Sequence, residues 1–317
     1  MFSYRHAFHA GNHADVLKHI TLVATLRHLM RKDAPLTLID THAGAGIYRL
    51  DGGAAQTSGE ALAGIARLQA IDAADPATAP ALADYLRLIA SFNAGGAAVA
   101  RVYPGSPLLM HALMSEPARP PVHDRLRLFE LHPTDAQALE AHVAQLNAGR
   151  QVGVARQDGF EALKALLPPP ASAGGSRRAL VLIDPSYEIK SDYARVAAAL
   201  QDSLKRFATG VYLIWYPIIP RPEAHALPRR LKTLANQAGR GWLHATLSIG
   251  AAPLAAGSAA SARATGQPVP RPGLLASGMF VVNPPHRLDT GLQEALPQVL
   301  HALGRERGRG FTVEASG

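Results

Sequence analysis

Cysteine is absent from all 317 residues. That excludes disulfides, cysteine–zinc sites, iron–sulfur clusters and a thiol nucleophile, and it fits a reducing compartment. No apolar run approaches the roughly 18 residues that a membrane span needs. The first residues, Met1 to His9, carry no apolar core of the signal-peptide kind, so a cytoplasmic location is expected. Heptads and internal repeats are missing, and so is a Gly-Lys-Ser/Thr phosphate loop. Charged residues are modest at 18% against 48% hydrophobic, a globular balance rather than a disordered one. Acidic residues are fewer than basic ones, leaving a net charge of +8 and a sequence pI of about 10.0. A basic surplus suits a polyanionic partner such as nucleic acid. Arg-, Ala- and Pro-rich usage yields the same surplus, so charge by itself decides nothing.

What is present is a rhythm of short apolar runs and helical patterns. Residues 14–31 have helical spacing at Val16, Leu17, Ile20, Val23, Ala24 and Leu26, with Asn12 placed to cap them. Seven strands are expected at 36–39, 126–131, 152–155, 179–183, 211–215, 243–249 and 279–282. Helical patterns lie between most of them, including 134–146, 159–167 and 192–207. Such alternation implies an α/β fold with a mostly parallel sheet covered on both faces.

Two motifs end strands of that sheet. The first, Asp40 to Gly46, follows residues 36–39 and contains Gly44 and Gly46, where the backbone can approach a nucleoside cofactor. A lone Gly-x-Gly is weak, and His42 within it suits either a cofactor contact or a local hydrogen bond. The second, Asp184-Pro185-Ser186-Tyr187, follows the wholly apolar residues 179–183. Adenine N6 is a poor nucleophile, because its lone pair is delocalised into the ring. The Asp184 carboxylate and the Pro185 carbonyl can accept from both amino hydrogens and orient that lone pair, while Tyr187 can stack on the base. Asp-Pro-Ser is also ordinary turn chemistry. Glu130 and Asp158 close the second and third expected strands, suited to ribose hydroxyls and to a cofactor amino group. Together the motifs read as an S-adenosylmethionine-dependent amino-methyltransferase.

The ribose-binding acid of nucleoside-binding sheets usually comes about 20 residues after the glycine turn. Here the candidate, Glu130, comes about 90 residues after Asp40. Residues 51–121, with helical stretches at 60–70 and 81–92, are therefore read as an insertion. It either covers the site or forms a separate structural unit. Residues 251–273, rich in Ala, Gly, Ser and Pro, read as a flexible loop joining the last two strands as a hairpin. The polar and aromatic residues 4–19 read as an N-terminal lid. They show no compact metal-ligand spacing, so no metal is expected.

At this level of detail the chain resembles the RlmJ family of 23S ribosomal RNA adenine-N6 methyltransferases. The resemblance rests on residues 3–19, Asp40–Gly46, 103–107, 130–133, Asp158-Gly159, 184–188, 205–210, 215–217 and 276–279, and covers about residues 1–290. It implies a Rossmann-like, seven-stranded class I methyltransferase fold with an inserted helical subdomain. The units are then residues 1–50 with 122–290, the insertion 51–121, and a tail, 291–317. It implies cofactor contacts at His19, His42, Ser106, Glu130, Asp158, Gly159 and Asp184, with Asp184 the catalytic acid that accepts a proton. Tyr4 matches a residue near the substrate RNA. With His6 and Lys18 it lies on a segment too polar to be pure core, so all three are expected to face RNA. Ser186 departs from the usual tetrapeptide, which has a second proline there. The expected activity is methylation of adenine N6 in 23S ribosomal RNA by a monomer with no membrane association. A DNA adenine methyltransferase and a non-catalytic RNA-binding protein are the alternatives.

Overall fold

The computed structural model describes residues 6–93, 100–119, 123–172, 175–251, 273–305 and 307–316. Helix α1, His13–Leu29, is capped as its sequence predicts: the Asn12 side chain accepts from the Ala14 and Asp15 amides. Its apolar spacing suggests one buried face. In fact it is buried nearly all round, and its polar residues His13, Asp15, Lys18, His19, Thr21 and Thr25 are buried too. A helix wrapped on every side needs partners for each polar group. Asp15 and Lys18 find theirs in the site described below and Thr21 donates to the Leu17 carbonyl, whereas His13 Nε2, His19 Nε2 and Thr25 Oγ1 have no hydrogen-bond partner among the described residues.

The central sheet is built from β1 (Thr37–Asp40), β4 (Arg125–Phe129), β5 (Val152–Ala155), β6 (Ala179–Ile183), β7 (Val211–Pro217), β8 (Trp242–Ala251), β9 (Ala276–Val282) and β10 (Arg307–Ala315). Their order is β10-β8-β9-β7-β6-β1-β4-β5. Strands β7, β6, β1, β4 and β5 run parallel, and β9, β8 and β10 join antiparallel. The main sheet thus has eight strands, not seven. The extra one comes from the tail, where residues 307–315 pair with β8 from Arg307 opposite Ala251 to Ala315 opposite Leu243. That segment is too polar and too exposed for its pattern to announce a strand. Strands β8 and β9 pair as expected of a hairpin, while most of their connection, 252–272, lies outside the described residues.

Side chains alternate between two cores. Leu180 and Leu182 of β6 join Leu38, Leu126 and Leu213 on one face. Val181 and Ile183 join Ile39, Phe129 and Ile214 on the other. A strand that feeds both cores has no polar face, which is why β6 reads as an unbroken apolar run.

Two short strands, β2 (Ile47–Arg49) and β3 (Val102–Pro104), pair antiparallel with Tyr48 opposite Tyr103. They were not expected. Between them lie α2 (Gly53–Ser58), α3 (Glu60–Ala63), α4 (Ile65–Leu68) and α5 (Pro80–Ser91). The pattern at 60–70 predicts one helix, but Gly64 splits it. A Cβ at Gly64 would lie 2.1 Å from the Gly11 carbonyl oxygen, because the chain bends there to meet the N-terminal segment. The remaining helices are α6 (Ser106–Met114), α7 (Pro133–Ala144), α8 (Gly159–Leu166), α9 (Ser191–Arg206), α10 (Pro222–Gln237) and α11 (Leu288–Leu303). Helix α1 packs against α5, α6 and α11, which explains its burial on every side.

Candidate active site

The carboxyl ends of β1, β4 and β6 open into one cavity of about 430 Å³. That is the size range of small-molecule sites. His6, Lys18, His19, His42, Ser106, Glu130, Asp158, Gly159, Asp184, Pro185 and Tyr187 all line it. Of the expected site residues only Tyr4 is not among them, and it lies outside the described residues.

The glycine turn begins at Asp40, which is wholly buried. Its carboxylate accepts from the Ser106 hydroxyl at 2.6 Å and from the His42 amide at 3.2 Å. Burial pushes its pKa up to about 6, against these hydrogen bonds. The chain then turns at Gly44, whose φ of +60° favours glycine. The Gly44 amide donates to Glu130 Oε2 at 2.8 Å, and the His132 amide donates to Glu130 Oε1 at 2.8 Å. Both Glu130 oxygens are thereby aimed by backbone. Burial holds the Glu130 carboxyl above its usual range.

Asp158 caps α8, accepting from the Phe160 and Glu161 amides. It also pairs with Arg195, whose guanidinium lies 4.5 Å over the Phe160 ring. Burial alone would raise the Asp158 pKa, but Arg195 holds it below the usual value. Gly159 has a packing reason that its motif does not reveal. A Cβ there would sit 2.1 Å from the Thr41 carbonyl oxygen, so α8 presses directly on the end of β1. His42 lies edge-on to Phe160 at 4.9 Å, with its Nδ1 2.8 Å from the Thr41 hydroxyl. Burial lowers its pKa to about 3, so its ring is neutral at pH 7.

Asp184 ends β6, with 14% of its side chain exposed. Lys18, expected to face RNA, lies in the wall of the cavity. Its ammonium is buried 2.6 Å from Asp184 Oδ2 and 2.8 Å from Asp15 Oδ1. A cation removed from water needs such partners. Asp15 Oδ2 in turn accepts from the Gly11 amide at 2.9 Å and from His6 Nε2 at 3.0 Å. His6 is therefore tied to the same network. Burial raises the pKa of Asp184, and the Lys18 ammonium opposes the rise.

Tyr187, expected to stack on the base, also lines the cavity, but most of its ring is covered by protein. Its hydroxyl donates to the Trp215 carbonyl at 2.7 Å, and its ring packs 4.6 Å from Tyr193. Its φ of +54° is unusual for a tyrosine and stores backbone strain where the chain leaves β6. The Arg221 guanidinium donates to the Tyr187 carbonyl at 3.2 Å and helps to hold that turn. Ser186 is exposed and takes no part in the buried contacts.

Asp15 and Arg195 are the participants that the sequence reading missed. Asp15 stands three residues before Lys18 on one helix face, a spacing that brings side chains together and signals the pair. Nothing local signals Arg195, which meets Asp158 only through the packing of α9 on α8. Among the described residues no group of three or more His, Asp or Glu is arranged to hold a metal ion.

Comparison with known proteins bears on this geometry. Residues 33–314 match the family described as RsmJ: Ribosomal RNA large subunit methyltransferase D, RlmJ. The "Ribosomal RNA large subunit methyltransferase J" of Escherichia coli (strain K12) is 40% identical over 298 residues, 94% of this chain and 92% of that protein. The protein of the same name from Haemophilus influenzae is 38% identical over 320 residues, 99% of this chain and 98% of that one. A crystal structure of a Legionella pneumophila protein superimposes with a TM-score of 0.76 at 28% identity, covering 97% of this chain and 98% of that chain.

Proposed function

The chain belongs to the RlmJ family of ribosomal RNA large subunit methyltransferases, and from that premise we propose that it methylates N6 of an adenine in 23S ribosomal RNA. The observation that carries this reading is the placement of Asp184 and Pro185 in the same cavity as residues 41–44 of the glycine turn, Glu130 and Asp158. The sheet is Rossmann-like, of the class I methyltransferase kind, with one added strand.

The residues present fit S-adenosylmethionine. Gly44 borders the cavity, where a Cβ would lie 2.2 Å from the Tyr48 hydroxyl, while at Gly46 a Cβ would strike Leu108 and Leu139 in the packing behind the turn. Glu130, oriented by two amides, suits the ribose hydroxyls, and Asp158-Gly159 suits the adenine amino group. His19, His42 and Ser106 complete the cofactor wall. When bound, S-adenosylmethionine supplies an electrophilic methyl group on a sulfonium.

The chain's own residues prepare the nucleophile. Lys18 takes Asp184 Oδ2, and Oδ1 carries no hydrogen bond among the described residues. Oδ1 accepts one N6 hydrogen and the Pro185 carbonyl accepts the other, drawing the nitrogen toward a tetrahedral geometry with its lone pair aimed at the methyl donor. As N6 gains the methyl group it loses a proton, and Asp184 Oδ1 is placed to receive it. Burial makes Asp184 a stronger base than an exposed carboxylate, and Lys18 keeps it ionised. Tyr187 holds the shape of the turn from within the wall.

A base in a helical stem must leave its stack to reach Oδ1, and the charge of +8 suits an RNA partner. One chain carries every residue named, so the reading takes the enzyme as a monomer, meeting ribosomal RNA in the cytoplasm. The test is transfer of labelled methyl from S-adenosylmethionine to unmodified 23S RNA and to DNA, followed by digestion to nucleosides. Label in N6-methyladenosine from RNA is expected. Label in another nucleoside, label from DNA alone, or none, overturns the reading.

A further inference from the structure

Single apolar side chains on a surface are ordinary, but a gathering of them in one place is not. Among the described residues four large ones are exposed: Phe8, Leu62, Leu131 and Ile189. Leu131 and Ile189 line the cavity, and Phe8 stands between His6 and His9, which line it too. Three of the four thus lie at the cavity or beside it. Leu131 follows Glu130, on the side suited to the cofactor. Ile189 comes five residues after Asp184 and is the exposed apolar side chain nearest to it in the chain.

The segment that carries Ile189 joins β6 to α9 and is anchored on both sides. Before it, Tyr187 is buried, with its hydroxyl on the Trp215 carbonyl and its own carbonyl held by Arg221. After it, the Asp192 amide in the first turn of α9 donates to the Ile189 carbonyl at 3.0 Å. A β-branched side chain on a fixed backbone has little freedom at χ1. Yet 61% of Ile189 is exposed, and it packs into neither core. An apolar group is therefore held rigidly at the cavity without serving the fold. Lys190, the next residue, is exposed, with Glu223 at 4.0 Å as its ion-pair neighbour. A cation suited to a phosphate thus stands beside the apolar group.

We propose that Ile189 is a wedge: when the target adenine leaves its stack for Asp184, the Ile189 side chain fills the gap between the neighbouring bases. This rests on the function proposed above. The sugar and phosphate of RNA are polar, so its apolar surface is the faces of its bases. In a stem those faces are covered by stacking. Flipping uncovers two of them, at the place the adenine has just left, and costs unstacking and unpairing energy. An apolar side chain that enters the gap covers both faces again and offsets part of that cost, as wedges of Ile, Leu or Met do between base steps of DNA. Such a group has to be apolar, rigid and exposed next to the acceptor of the flipped base. Ile189 has all three properties.

The test compares two RNAs built around the adenine that takes label in 23S RNA: a hairpin that holds it in the stem, and a single strand of the same local sequence too short to pair. In single-turnover methylation by the full chain, Ile189→Ser should slow the hairpin about tenfold or more and leave the single strand within about twofold, because only the hairpin has a stack to open. Ile189→Leu, which keeps the apolar volume, should restore the hairpin to within about threefold. 2-Aminopurine in place of the target adenine reports unstacking without methyl transfer. Its fluorescence on saturating binding should rise with the wild type and rise less with Ile189→Ser. Equal losses on both RNAs, no loss on the hairpin, an unchanged fluorescence rise, or a target adenine that lies outside any stem, overturns the wedge and leaves the proposed function standing. A wild type that methylates no RNA overturns that function and the wedge with it.

Discussion

The affinity of the Asp184 carboxylate for a proton is set by two opposed neighbours: the apolar surroundings that raise its pKa and the Lys18 ammonium that lowers it. Each has a consequence that a single substitution exposes. Asp184→Ala removes both the acceptor and the proton sink. It should leave the protein folded but less stable, since Lys18 keeps only Asp15 as a partner, and reduce methyl transfer by more than about tenfold, or roughly 1.4 kcal/mol in barrier. Single-turnover methylation measures this, and a smaller loss rules out the catalytic role. Lys18→Met removes the charge that keeps Asp184 ionised, so the Asp184 pKa rises further. On the proposed mechanism activity needs the carboxylate and is lost as pH falls through that pKa. The acid limb of the pH–rate profile should therefore move to higher pH. A limb that stays in place, or moves down, means that Lys18 does not act through Asp184.

Contacts between elements decide whether these residues meet. Helix α8 can bring Asp158 to the cavity only because position 159 has no side chain against the Thr41 backbone. The atoms facing Gly159 are main-chain atoms at the end of β1, so no rotamer change relieves a clash. Gly159→Ala should cost about 1–3 kcal/mol by overpacking and weaken S-adenosylmethionine binding together with stability. Denaturant unfolding and calorimetry check both, and unchanged stability would show that α8 and β1 have room to part. A similar close approach at Gly64 breaks a helical pattern into α3 and α4. Periodicity reports which residues share a face; it is blind to a backbone arriving from another part of the chain.

Over the whole molecule, the tail completes the sheet. Residues 307–315 cover the outer edge of β8 along its length. Deleting residues 305–317 should bare that edge, lower the melting temperature and promote association, since unpaired edges template further pairing. Thermal unfolding with light scattering measures this, and a monomeric, equally stable truncation would make β10 dispensable. The basic surplus also acts at this scale. RNA affinity should fall as salt rises, because phosphate contacts release counterions. Titrations at low and moderate salt test it, and a flat response would assign the surplus to composition alone.

By itself the sequence determined what short stretches of chain can encode. The apolar run of β6, the turn at Gly44, the Asn12 cap and the acids at strand ends are local, so their pattern is visible in a few neighbouring residues. The cavity that gathers them follows from strand-end placement in a parallel sheet. Tertiary structure alone decided which atoms those residues face. Lys18 reads as a solvated cation until Asp184, far along the chain, reaches it. Tyr187 reads as an open plane until Trp215 and Tyr193 close on it. Arg195 on Asp158, the Tyr103 hydroxyl beside His19 and the pairing of β10 with β8 are likewise contacts between distant segments. The physical reason is common to all of them: a side chain's charge state, freedom and hydrogen-bond direction depend on what excludes water from it, and that is settled only when the chain packs.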